Sequence, residues 1–285
     1  MKYSIILILS TFIICCSTDD KVRNNEANDT NNKSKNSKSV SGKEKIKFDN
    51  SNPEMNTGNE SLENSQINMN GNRTLDTPDN DYLVGKTSFS NDRGFVLVNP
   101  KHCSKSMYLR TQAYEAFIKM YNAAIQEGIQ LIIISGARSF EHQKSIWERK
   151  WNNLNSTSPK EKALEILKYS SMPMSSRHHW GTDFDLNSLE NEYFESREGL
   201  KIYNWLTANA SKFGFCQVYS DKKVSDRKGY EMEKWHWSFM PLSSKLLERY
   251  NRKISIEDIN GFQGSEVASE IGIIENYVNG INNCH

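Results

Sequence analysis

The stretch Ser175–Asp185 reads SSRHHWGTDFD and sets two histidines, two aspartates and one glycine within eleven positions. Imidazole nitrogens and carboxylate oxygens are donor atoms of zinc sites. Such residues also gather in solvated loops, so the cluster alone does not make a site. On a helix, His178 and Asp185 would stand about 10 Å apart along the axis, too far for both to reach one ion at roughly 2 Å. A turn at Gly181 removes the difficulty, because the chain can reverse there and return as a strand, TDFDL, that brings a carboxylate to the imidazole. Asp183 and Asp185 share one side of that strand, and either could be the ligand.

A third ligand stands in EKWH, Glu233 to His236, a form that also supplies a base. Residues three apart on an unbroken strand face opposite sides, so Glu233 must lie on the bend before the strand if it is to share a site with His236. Three protein ligands and a water make the open arrangement of catalytic zinc, with a non-ligating glutamate beside the water as general base.

The elements around these residues follow from hydrophobic spacing. Leu109, Ala113, Phe117, Met120 and Ala124 predict one face of a helix over Met107–Glu127, stopped at Gly128. IQLIII reads as a short buried strand, SGARS as the turn out of it, and FEHQKSIWERKW and EKALEILKYS as helices. Leu200–Phe213 predicts another helix and FCQVY another strand, and the polar run Asp221–Glu231 is a loop feeding KWHWSF. In that strand Trp235, Trp237 and Phe239 share one face, leaving His236 and Ser238 on the other. Helices that flank short strands without strict βαβ units predict an α+β domain with a small, mainly antiparallel sheet.

The resulting motifs resemble those of the zinc D-alanyl-D-alanine carboxypeptidases and dipeptidases, the VanY-type peptidoglycan peptidases. That pattern is S-x-H-x-x-G-x-A-x-D, followed by E-x-W-H and preceded by S-G-x-R-S. Here it reads Ser176, His178, Gly181 and Asp185, then Glu233, Trp235 and His236, with SGARSFEHQ upstream. The likeness runs from about Asp81 to Tyr250. It implies a single domain of the D,D-peptidase or hedgehog-like type, with one Zn2+ on His178, Asp185 and His236. It further implies Glu233 as general base, Arg138 polarising the scissile carbonyl, and Ser176 and Gln143 holding substrate. Asp183 departs from the pattern, standing where a small Ala belongs, and is read as a carboxylate that orients a ligand imidazole or Arg138. His142 and His179 fall outside the motifs and are read as surface or packing residues, and Trp180, Trp235 and Trp237 as core or cleft wall.

Over 285 residues the formal net charge is +1, which argues for no nucleic-acid partner. No apolar run reaches the roughly 18 residues of a spanning helix, so any membrane link must come from the N-terminus. MKYSIILILSTFIICC resembles a bacterial lipoprotein signal, implying residues 1–16 as signal and Cys16 as the lipidated residue. Residues 17–80, rich in Asn, Ser, Lys, Asp and Glu, read as a disordered tether with a root-mean-square span on the order of 40 Å. The peptidase domain is expected over residues 81–252, and a helical extension packed on it over 253–285. Cys103, Cys216 and Cys284 remain, enough for one disulfide and one thiol. The function expected is removal of the C-terminal D-alanine from peptidoglycan stem peptides by a monomeric lipoprotein of the cell envelope. An L,D-carboxypeptidase or D,D-dipeptidase on the same scaffold is the near alternative. A non-catalytic wall-binding lipoprotein is the distant one, and the presence of both Glu233 and Arg138 argues against it.

Overall fold

The computed structural model describes residues 80–156, 158–282 and 284. The expected signal, Cys16 and residues 17–79 of the expected tether lie outside the described residues. No described helix is long and apolar enough to cross a membrane.

A hairpin of β1 (Phe95–Leu97) and β2 (Tyr108–Arg110) opens the domain and leads straight into α1 (Thr111–Gln126). The helix expected from Met107 therefore starts four residues late. Backbone pairing of Tyr108–Arg110 with β1 takes the first turn, and Leu109 is buried from a strand instead. Tyr114, Phe117, Met120 and Ala124 line the buried face of α1, as their helical spacing requires. Next come β3 (Ile133–Ser135), α2 (Phe140–Asn153), α3 (Pro159–Ile166) and β4 (Asp183–Leu186). They are followed by α4 (Arg197–Asn209), β5 (Phe215–Cys216), α5 (Lys222–Ser225), β6 (His236–Phe239), α6 (Met240–Lys253) and α7 (Ala268–Ile271). The helix α6, entered through Pro241, was not anticipated from the sequence.

Four strands form one antiparallel sheet in the order β3-β4-β6-β5, so the fold is α+β with a small antiparallel sheet among helices. Alternation along the central pair sorts its side chains. Phe184, Leu186, Trp235 and Trp237 enter a core shared with α1 and α4. Asp183 and Asp185 lie opposite Ser238 and His236, so their side chains emerge together on the other face.

A second core joins α2, α3, α6 and the chain beyond residue 253. That last segment buries Ile259, Phe262, Val267, Ile271, Ile273 and Tyr277 without forming the long helix its apolar content suggests. Gly261, Gly264 and Gly272 all take positive φ and break it into short turns. Its end is covalently tied to the sheet by a Cys216–Cys284 disulfide, leaving Cys103 as the free thiol among the described residues.

Candidate metal and catalytic centre

His178 sits on a 3-10 turn, Arg177–Trp180, that ends at Gly181 in the left-handed region (φ 69°). A Cβ at Gly181 would collide with the Phe95 ring, so the reversal depends on glycine twice over. From there β4 brings Asp185 back beneath the imidazole, and the register sets it directly opposite His236. One donor atom each from His178, Asp185 and His236 lie within 4.8 Å of one another, and all three residues are buried.

The hydrogen bonds around these residues aim the donors. His178 Nδ1 donates to the Gly136 carbonyl (2.9 Å), which leaves the Nε2 lone pair pointing inward, 3.4 Å from Asp185 Oδ1. Asp183 Oδ1 stands 3.1 Å from His236 Nε2, which turns the Nδ1 of that ring toward the same Asp185 oxygen, also at 3.1 Å. Two imidazole nitrogens thus converge on one carboxylate oxygen. That arrangement is repulsive between lone pairs and favourable around a cation. Burial disfavours the imidazolium of His236, yet Asp183 and Asp185 outweigh it and push the ring up to about 9. The donor set, its spacing and its need for positive charge fit zinc.

Asp183 does more than orient one ring. Its Oδ1 also accepts from Arg177 Nε (2.9 Å), and Thr182 Oγ1 donates to Oδ2 (2.6 Å). Burial alone would raise this carboxyl; the Arg177 guanidinium, His236 and Thr182 hold it well below the usual carboxylate range. Of the two partners expected for Asp183, a ligand imidazole or Arg138, it meets the imidazole of His236, and its ion-pair partner is the buried Arg177. Arg138 instead donates to Asp185 Oδ2 (3.2 Å) and to Gln143 Oε1 (2.8 Å).

Gln143 is fully buried, and its Nε2 donates to the Ser171 carbonyl, so the contact it makes in this arrangement is to Arg138 rather than to open space. Ser176 is buried with its Oγ unpartnered, as is Arg138 Nε. His179 is a packing residue: its ring bridges the Arg138 carbonyl and the Met174 N–H, and burial lowers it to about 3.

Glu233 lies on the bend ahead of β6, with its backbone N–H donating to the Tyr219 carbonyl. Its Oε2 is 3.7 Å from His236 Nδ1. Its carboxylate thus borders the group formed by His178, Asp185 and His236. Burial raises its carboxyl to about 8 against the pull of His236. A divalent cation at the three ligands would favour its ionised form.

Residues 106–242 match the family model described as VanY: D-alanyl-D-alanine carboxypeptidase. They form a VanY-family domain. Putative carboxypeptidase YodJ of Bacillus subtilis (strain 168) is 34% identical over 135 residues, covering 47% of this chain and 46% of that protein. A D-alanyl-D-alanine carboxypeptidase of Enterococcus faecalis (strain ATCC 700802 / V583) is 28% identical over 142 residues, covering 49% and 50%. The chain thus spans about half the length of the curated relatives it matches.

Among solved structures, a variant of the vancomycin-resistance D,D-pentapeptidase VanY with Zn(II) aligns at TM-score 0.41 and 23% identity, over 53% of this chain and 83% of that one. The LdcB LD-carboxypeptidase aligns at TM-score 0.43 and 22% identity, over 57% and 79%.

The VanY-family domain holds two supports that motif spacing alone did not reveal. Arg177 is one. The other is Tyr219, whose ring lies 4.6 Å from that of His236.

Proposed function

We propose that this chain is a zinc-dependent carboxypeptidase that removes the C-terminal D-alanine from peptidoglycan stem peptides, working with one ion on His178, Asp185 and His236. The observation that carries the proposal is the pair of inward-facing imidazole nitrogens, each ring pinned by a hydrogen bond on its far side, meeting one oxygen of Asp185. Bound zinc supplies a Lewis acid that polarises a carbonyl and lowers the pKa of water. Glu233, buried beside His236, takes the proton of the attacking water and later returns it to the departing amine. Arg138, hydrogen-bonded to Asp185 at the edge of the centre, would meet the oxyanion as it develops. Ser176, whose buried hydroxyl has no partner, would hold the substrate backbone.

Purified protein incubated with defined tetra- and pentapeptide muropeptides, with products weighed by mass spectrometry, tests the proposal. Loss of one D-alanine from the pentapeptide is the expected result. Cleavage of the tetrapeptide alone would reassign the specificity to an L,D bond, and no product with any metal would leave a binding module. The second part of the proposal is envelope localisation through acyl chains on Cys16. Cys16→Ser should move the protein from the membrane to the soluble fraction, and unchanged fractionation would remove Cys16 as anchor.

A further inference from the structure

Beyond the family-matched residues 106–242, the segment 254–282 is packed against the loop that carries the proposed base. Three ring contacts run from it to a metal-site histidine. Tyr277 meets Tyr230 with centroids 5.1 Å apart, Tyr230 meets Tyr219 at 4.8 Å, and Tyr219 lies tilted by 39° against His236 at 4.6 Å. Tyr219 also accepts the Glu233 backbone N–H at 2.9 Å. Gln217 holds the other side of that residue, donating from Nε2 to the Glu233 carbonyl at 3.0 Å.

The loop between these points is drawn tight. Arg227, buried, donates to the carbonyls of Ser220, Lys228, Tyr230 and Glu231. The C-terminal segment grips it from outside. Asn282 N–H donates to the Val218 carbonyl at 2.8 Å, and Cys284 is bonded to Cys216. Gly229 and Gly280 both approach the Asn276 carbonyl so closely that a Cβ on either would run into it.

We propose that Tyr277 is a positioning residue for the active site, acting through Tyr230 and Tyr219 on the ring of His236 and the backbone of Glu233. The proposal rests on the peptidase reading above. The hydrogen bond to Asp183 fixes which nitrogen of His236 faces the centre, but a bond at one edge leaves the ring free to rock about it. Contact from Tyr219 fixes the plane, and the same residue sets the height of Glu233. Aromatic pairs prefer particular relative orientations, so each ring constrains the next more narrowly than aliphatic packing would. The far end of this row lies on the C-terminal segment, which the disulfide ties to β5.

Tyr277→Ala in the full chain should lower kcat by about 10-fold with KM unchanged, the lower end of what outer supports of a metal site contribute. Tyr277→Phe, which keeps the ring, should restore kcat. The visible absorption of the Co(II)-loaded protein should change in Tyr277→Ala and match the parent in Tyr277→Phe. If Tyr277→Ala does not fold, Tyr277→Leu takes its place, because it keeps apolar volume without the ring. A variant that melts earlier but retains the parent kcat and cobalt spectrum would overturn the proposal. Should the parent cleave no peptide, the peptidase reading fails, while the cobalt spectra still decide whether Tyr277 acts on the metal site.

Discussion

Two aspartates on one side of a strand compete for one metal, and hydrogen bonds separate their roles. Asp185 Oδ1 lies between the site-facing nitrogens of both rings, whereas the matching oxygen of Asp183 is occupied by Arg177 and His236 Nε2. Asp185→Asn should therefore give an essentially metal-free, inactive protein by zinc titration. Asp183→Asn should bind zinc about 10- to 100-fold more weakly, as for loss of an orienting partner. It should also lower stability by about 3–5 kcal/mol in denaturant unfolding, because it strands the buried Arg177 guanidinium. Glu233→Ala should retain zinc yet lose roughly 10²- to 10⁴-fold in rate, since a base is removed and not a ligand; metal analysis beside a rate assay separates the two. The grouping of His178, Asp185 and His236 was legible in residue type and spacing, while the choice of Asp185 over Asp183 came from the family resemblance alone. Arg177 and Tyr219 were not legible: an arginine or tyrosine acquires its role only from what the fold places beside it.

At the scale of elements, the site is made by one reversal and one register. The 3-10 turn at Arg177–Trp180 presents His178, Gly181 reverses the chain, and β4 then pairs with β6 so that Asp185 faces His236. Gly181→Ala should destabilise the domain by more than about 1–2 kcal/mol, the cost of left-handed backbone for a residue with a Cβ, because the Phe95 ring must also move. Zinc affinity should fall with stability, measured by competition with a chelating dye; unchanged affinity would show that the reversal is not what aims His178. The alternation of TDFDL and KWHWSF made these two strands readable in advance. The boundary at Tyr108–Arg110 was not readable, because apolar spacing compatible with a helix was claimed by backbone pairing to β1. The same limit applies to the segment after Lys253, where apolar content implied packing correctly but three glycines with positive φ prevented a long helix.

At the scale of the whole molecule, the centre lies where the parts of the fold meet. The sheet turns Phe184 and Trp237 into the core with α1 and α4, and its other face carries Asp185 and His236, the latter against Tyr219 of the second core. His178, Asp185 and His236 come from three chain segments, so an ion held by them ties the 3-10 turn, β4 and β6 together in the folded state alone. Binding that favours the folded chain stabilises it by about 2.7 kcal/mol at a hundredfold excess over Kd, which for a domain of this size raises Tm on the order of 5–10 °C. Chelator-treated protein should therefore melt that much earlier than protein restored with zinc, and magnesium, which prefers oxygen donors, should not replace it. The disulfide should be kept oxidised in both samples, because Cys216–Cys284 constrains the unfolded chain whether or not metal is present. Equal melting temperatures with and without zinc would mean that the three residues do not bind the ion in the folded protein, and the metal would have to leave the proposed chemistry.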